Sequence, residues 1–292
     1  MKKNLRLAIS LLATLTAVYI ILQYLLKHRS LLTQLSHVSL LIILLLVALY
    51  ILIFGVLVLI LGVILKICYS PIGKQENVLL NAYSLFINFF IPGQGGPAFR
   101  GIYLKKRRNL LFRNYIAGSL LYYAMYGLLS ICFVLAGSRP WWQTALASAV
   151  VVGLSFPVVN MLKDRSVLRK TKLNLNFLNV GLLWLVTLSQ LLLQFIIYFI
   201  ELHNANKHIA VHQAIAYSGI ANLALFVALT PGAIGIRESF LVLSERLHHI
   251  SSANIIVANV IDRSVYLVFL GLALILIISL HAKDKLLIKK AE

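Results

Sequence analysis

Apolar residues in this chain come in long uninterrupted runs, not in alternation or at amphipathic spacing. Runs at about 5–26, 38–65, 114–136, 141–160, 177–200 and 253–280 each reach or approach 20 residues. A helix of that length crosses a hydrocarbon core of ~30 Å. The pattern therefore predicts six spanning helices. Two further regions, about 78–99 and 211–250, are apolar but interrupted. Each carries the same break: Pro92-Gly93-Gln94-Gly95-Gly96 in one and Pro231-Gly232-Ala233-Ile234-Gly235 in the other, both P-G-x-x-G. Proline removes an amide donor and stops a helix, and glycine permits positive φ and close backbone approach.

The charged residues orient these segments. Twenty Lys and Arg residues fall in segments on one side: the N-terminus, the neighbourhood of Lys66 and Lys74, the stretch from Arg100 to Arg113, the loop from Lys163 to Lys172, and the C-terminal tail. Lys27, Arg29, Arg139 and Lys207 fall on the other. Basic loops stay cytoplasmic, so both termini are expected inside. Region 78–99 then enters and leaves on the cytoplasmic face as a re-entrant hairpin. Its first arm, about 78–91, would be ~21 Å long as a helix, too short to span. Region 211–250 enters and leaves on the outer face; its first arm, 211–230, is long enough that a full crossing stays open.

The two prolines are 139 residues apart, and the same offset carries 38 to 177 and 114 to 253, both starts of apolar runs. Gly93 and Gly96 map onto Gly232 and Gly235. The chain thus reads as two transmembrane repeats, 1–140 and 141–292, each helix, helix, hairpin, helix. The first begins inside and the second outside, an all-α polytopic fold with inverted topology. Paired helix breaks in such repeats mark a binding site between them. Broken backbone is tolerated at membrane depth only where it is buried or lines a wet cavity.

Composition agrees. The chain is 61% hydrophobic and 12% charged, with mean hydropathy +0.92. A soluble domain is nearer a quarter charged. The net charge of +19 would suit nucleic acid, but its confinement to alternate loops points to topology and to anionic lipid headgroups instead. Cys68 and Cys132 lie in or beside apolar runs and form no spaced metal pattern. His208 and His212 have a spacing that zinc sites use, but no third ligand accompanies them. His248 and His249 are expected at the outer interface. No metal and no cofactor are expected, and no paired-carboxylate or Ser-His-Asp pattern argues for an enzyme.

Thr230 through Ser239 resembles the second signature of the transmembrane region of lysylphosphatidylglycerol synthases and their stand-alone, flippase-like relatives, approximately P-G-G-hydrophobic-G-hydrophobic-R-E-small. Phe89 through Arg108 resembles the first motif. Ala233 replaces the usual middle glycine, and Pro97 stands where an acidic residue is common. No aminoacyl-transferase domain follows these segments. The resemblance implies an integral protein of the bacterial cytoplasmic (inner) membrane that moves a phospholipid or polyprenyl-linked lipid between leaflets.

The candidate lipid-binding residues are Pro92, Gly93, Gly96, Arg100, Pro231, Gly232, Gly235, Arg237, Glu238, Asp262 and Arg263. Exposed helix N-termini at the breaks would offer N–H groups to a phosphate, and Arg237 or Arg100 a bidentate fork. Asp262 and Arg263 lie ~15 Å into the last run, where charge is costly unless paired or wet. They either line a cavity or close an ion pair with the Arg237 region, and the two roles are compatible. Tyr122, Tyr123 and Tyr126 form a helical stripe that serves packing, an interfacial band or a substrate box. The leading expectation is a translocator of an anionic lipid. The alternatives are a lipid-binding or assembly subunit serving a lipid-biosynthetic enzyme, or a headgroup transferase.

Overall fold

The computed structural model describes residues 38–90, 95–138, 173–227 and 236–289, together with Gly153. Among these residues every element is helical. Helices α1 (Leu40–Ile67), α2 (Lys74–Phe90), α3 (Gly95–Arg108) and α4 (Phe112–Ser138) are followed by α5 (Phe177–Ala205) and α6 (Val211–Ala224), which ends in a 3-10 turn at Leu225–Val227. Helices α7 (Ile236–Leu243), the single turn α8 (Glu245–His248) and α9 (Ser252–Lys289) complete the chain. The predicted spans at 5–26 and 141–160 lie outside the described residues.

Among the described residues four helices are long and apolar enough to cross a membrane: α1, α4, α5 and Ser252–Leu280 of α9. They coincide with the predicted runs at 38–65, 114–136, 177–200 and 253–280. Large apolar side chains on their outer faces are exposed, among them Leu41, Leu44 and Leu52 of α1 and Leu185 of α5. In water such a surface would drive association; in a bilayer it is the lipid-facing side. The helices flanking each break, α2 with α3 and α6 with α7, are in contact; residues 91–94 and 228–235 lie outside the described residues. α2 starts at Lys74, four residues earlier than the pattern suggests, and its 17 residues give about 25 Å. α6 has only 14 residues, about 21 Å.

Helix starts recur at a near-constant interval. Leu40 and Phe177, Lys74 and Val211, Gly95 and Ile236, and Phe112 and Ser252 stand 137, 137, 141 and 140 residues apart. The packing repeats as well. α1 lies on its counterpart α5, and the contact of α4 with α5 is matched by α9 with α1. The contact of α6 with α4, the most extensive in the molecule, is matched by α2 with α9, and α3 with α4 by α7 with α9. Each of these contacts thus has a partner under exchange of halves.

Directions follow from side-chain pairing. The end of α1 (Ile60 to Ile67) packs with the beginning of α5 (Val180 to Leu191), and its beginning (Leu46 to Ile53) with the end of α5 (Ile197 to Leu202). The Asn174 N–H donates to the Ile67 carbonyl at 2.7 Å, tying the C-terminus of α1 to the approach of α5. The two counterparts are therefore antiparallel. Tyr122 and Tyr126 of α4 pair with Gln190 and Gln194 of α5 in ascending order, so these helices are parallel.

Helices pack in lipid through van der Waals fit, and small residues allow the backbones to approach. At Gly219 of α6, an added Cβ would sit 2.6 Å from the Ser130 carbonyl and 2.7 Å from the Val134 nitrogen of α4. These are backbone atoms and cannot swing away. Gly219→Val should therefore lower thermal stability in detergent by at least about 1–3 kcal/mol through overpacking. Gly55→Val, at a site with nothing within 4 Å, serves as the control; equal melting of the two variants would refute the close-packed interface. Gly96 is similarly confined, against Ser84 and Asn88 of α2.

Outside the spans, Glu76 of α2 clasps α3. It accepts from Tyr103 Oη at 3.0 Å and from Arg108 Nε at 3.0 Å, with a second bond from the same guanidinium. Chiefly the hydrogen bond from Arg108 holds its carboxyl below the usual carboxylate range, with burial opposing and Tyr103 assisting. Of the two histidines expected at the outer interface, His248 is buried in the protein. Its Nδ1 accepts from the Ile250 N–H at 3.1 Å and its Nε2 donates to the Leu241 carbonyl at 2.9 Å, which fixes a neutral ring. Burial holds its pKa below the ordinary imidazole value. Its apolar surroundings and backbone bonds explain why two adjacent histidines did not both reach the surface: His249 takes the left-handed conformation, φ 54°, and points out.

Candidate functional site

The helix pairing encloses a cavity of about 310 Å³ between the two halves. It is walled by α1, α2, α4, α5 and α9, with Arg100 of α3 and Arg237 of α7 entering from the two broken regions. Arg100, Arg237, Asp262 and Arg263, all anticipated from sequence, meet there.

Two adjacent ion pairs join α7 to α9. Arg237 Nη1 lies 2.7 Å from Asp262 Oδ2, with both side chains buried. Arg263 Nη2 lies 3.2 Å from Glu238 Oε1. The second oxygen of Asp262 accepts from the Tyr50 hydroxyl of α1, and the Arg237 guanidinium lies 5.0 Å above the Tyr198 ring. The closed-pair and cavity-lining roles of Asp262 and Arg263 therefore coexist. Pairing is what makes their burial affordable, since an isolated charge at such a position would cost several kcal/mol. Arg237 is not saturated: Nε and Nη2 are buried and have no hydrogen-bond partner among the described residues.

Arg100 is held differently. Its Nη1 donates to Asn81 Oδ1 at 3.0 Å. Asn81 in turn donates to the carbonyl and side-chain oxygens of Asn77 at 2.9 and 2.8 Å, and Asn77 Nδ2 reaches the Val58 carbonyl at 2.9 Å. A relay of neutral amides thus positions the guanidinium. Among the described residues no carboxylate forms an ion pair with Arg100, and its Nε is buried without a partner. Three guanidinium groups and one carboxylate line the cavity, and Glu238 offsets Arg263. The surplus positive charge sits at Arg100.

The tyrosine stripe faces the same space. Tyr122 Oη donates to Gln190 Oε1 at 2.8 Å and Tyr126 Oη to Gln194 Oε1 at 3.1 Å. Tyr122 and Tyr126 lie 5.9 Å apart, one helical turn along α4. The pair Tyr122–Gln190 and the pair Asp262–Tyr50 occupy corresponding places in the two halves, within one residue of the 139-residue offset. A polar lock, α4 to α5 and α9 to α1, is thus built twice, once with an amide and once with an acid.

Of the predicted site residues, Gly96 lies at the start of α3, where its N–H donates to Asn88 Oδ1 at 2.7 Å. Glu238 contacts Arg263 and is absent from the cavity wall. Pro92, Gly93, Pro231, Gly232 and Gly235 lie outside the described residues. Sequence reading missed Asn81, Asn88, Gln190, Gln194, Tyr50 and Tyr198, all on the wall. It also missed Glu201 of α5, which is buried and electrostatically coupled to Asp262 and Arg237. A signal was available for the glutamines: two amides four apart within a Leu-rich run share a helix face with no apolar reason to be there.

No curated protein and no solved structure matches the chain. The family model described as the lysylphosphatidylglycerol synthase TM region matches residues 5–273. That span includes α1, α4, α5 and α9 as far as residue 273, both broken regions and every residue of the cavity wall. The chain is an integral membrane protein with a lipid-related role, and it belongs to the family of lysylphosphatidylglycerol synthase transmembrane regions.

Proposed function

We propose that this protein is a flippase-like translocator that passes an anionic phospholipid or polyprenyl-linked lipid between leaflets. The headgroup occupies the cavity while the acyl chains stay in the bilayer. In this reading six helices span, the helix pairs α2–α3 and α6–α7 are re-entrant hairpins from opposite faces, and residues 1–140 and 141–292 are inverted repeats. Both termini face the cytoplasm across the bacterial inner membrane, and the protein performs no covalent chemistry. The antiparallel counterparts α1 and α5 support the inverted arrangement.

One observation carries the assignment: Arg100, Arg237 and Arg263 line one cavity that holds a single carboxylate, and buried N–H groups of Arg100 and Arg237 lack acceptors among the described residues. Guanidinium groups are always charged and have no acceptor capacity of their own. A buried donor without a partner costs about 1–3 kcal/mol, so the site is arranged for something that arrives with negative oxygens. In a membrane that is a lipid phosphate.

The test is movement. Purified protein in phosphatidylcholine–phosphatidylglycerol vesicles should speed the exposure of an acyl-labelled phosphatidylglycerol to an impermeant quencher at least tenfold over protein-free vesicles. Saturable binding with no movement would replace translocation by the lipid-presenting, assembly-subunit role.

A further inference from the structure

We propose that Glu201 and Asp262 form a proton-binding pair that couples passage of the headgroup to the uptake of one proton. The proposal rests on the translocator reading and adds the ion that accompanies the lipid.

Glu201 lies on α5, 1% exposed, one turn beyond Tyr198. Among the described residues it makes no ion pair, and its Oε1 has no hydrogen-bond partner. A carboxylate in that setting, inside a membrane protein, is costly to keep charged. What Glu201 does meet is another acid: its carboxyl is within hydrogen-bonding reach of Asp262. Two carboxyls in such contact do not both ionise, so they share a proton. Both oxygens of Asp262 already accept, one from Arg237 and one from Tyr50, which marks Asp262 as the anion. The proton therefore sits on Glu201, with Asp262 as its acceptor.

This arrangement links a proton to Arg237. By itself the cluster is balanced: Arg237 with Asp262, Arg263 with Glu238, and Glu201 neutral. An anion at Arg100 meets the surplus positive charge there and needs no proton. An anion that moves on to Arg237 adds a negative charge to a balanced cluster, and a buried net charge is costly. The two acids relieve it. As the phosphate displaces Asp262 from Arg237, the Glu201 O–H bond breaks and an Asp262 O–H bond forms. Glu201, now the carboxylate, takes a proton from the solution. It stands four residues, about 6 Å, from the end of α5 at Ala205, the end that the charge pattern places outside. Headgroup and proton thus occupy the second position together. Both leave when Asp262 gives up its proton and Arg237 closes on it again.

The groups around Glu201 leave the two acids as the titrating unit. They are Asp262 and Arg263 of α9, Arg237 of α7, Tyr50 of α1, Tyr217 of α6 and Tyr198 of α5 itself. Helix α4 adds Tyr126, near Tyr198 and Arg237. Guanidinium and phenol groups keep their protons between about pH 6 and 8.

Two readouts on the full-length protein test the coupling. The first is proton uptake when phosphatidylglycerol is added to the protein in weakly buffered detergent at neutral pH, followed with an indicator dye. At least about half a proton per bound lipid is expected, and affinity should rise as the pH falls. The second is movement in vesicles under an imposed pH difference. Labelled phosphatidylglycerol should collect in the leaflet facing the alkaline side. Glu201→Gln keeps the shape and a donor for Asp262 but has no proton to give. It should bind phosphatidylglycerol within about threefold of wild type through Arg100, take up no proton, and move lipid at least about tenfold more slowly. Histidines elsewhere titrate equally in both proteins and cancel in the comparison. Movement indifferent to the pH difference, with no uptake and with Glu201→Gln as fast as wild type, would overturn the coupling and leave translocation standing. Uptake on binding without movement would keep the proton site and overturn translocation. Neither uptake nor movement would overturn both. If the variant fails to fold, uptake and the response to the pH difference in the unaltered protein decide by themselves, since zero uptake and indifferent movement there overturn the coupling.

Discussion

Arg237→Ala is expected to reduce lipid movement to the protein-free rate and to destabilise the protein at the same time. The two effects have separate causes. Movement is lost because Arg237 brings a guanidinium to the cavity wall. Stability is lost because Asp262, buried and held at 2.7 Å by Arg237, would remain as an uncompensated charge. Breaking a buried pair in this way costs about 3–5 kcal/mol. The double variant Arg237→Gln/Asp262→Asn separates the causes. With both charges gone and two amides in place, thermal stability in detergent should return to within about 1–2 kcal/mol of wild type, since neutral replacements of a buried pair are close to isoenergetic. Lipid movement should stay at background. Wild-type movement in the double variant would remove Arg237 from the path and leave it a structural brace. Arg237→Lys should recover part of the activity, because an ammonium keeps the charge without the fork.

Arg100→Gln is expected to give a different signature: a large functional loss with little loss of stability. Arg100 is held by Asn81 alone among the described residues, and its removal strands no acid. The glutamine retains a donor for Asn81. A hydrogen bond to a charged group is worth about 1.5–3 kcal/mol, so binding of phosphatidylglycerol should weaken roughly 10- to 150-fold. The melting temperature should stay within a few degrees of wild type. Unchanged lipid affinity would show that the cavity's surplus charge serves topology and not recognition. A stability loss matching that of Arg237→Ala would reveal an acidic partner for Arg100.

The contrast between these arginines has a functional reading. Arg237 is preorganised by Asp262, Tyr50 and Tyr198, and its position is fixed whether or not a ligand is present. Arg100 is tethered through neutral amides to α2, so an arriving anion supplies its first full countercharge. Two anion-seeking positions of unequal strength, one on each half and joined by the Tyr122–Tyr126 ladder, suit stepwise passage better than a single deep trap. A site that binds too tightly cannot release.

The class of this protein and its apolar helices were determined by the sequence itself. The reason is that a bilayer permits few solutions: uninterrupted apolar runs become helices, because no other open structure satisfies the backbone in lipid. The spans of α1, α4, α5 and α9 matched the runs closely for that reason, and Arg100, Arg237, Asp262 and Arg263 stood out because charge is rare there. Partnership was legible only in part. The pairing of Asp262 with Arg237 was anticipated, but nothing in the spacing says that Glu238 pairs with Arg263, or that Asn81 and not an acid holds Arg100. Nor does it reveal that the oxygens of Gln190 and Gln194 accept from Tyr122 and Tyr126. Those facts depend on which helix faces lie together across 19 to 68 residues of chain, and only the packing of the helices, within each half and between them, decides them.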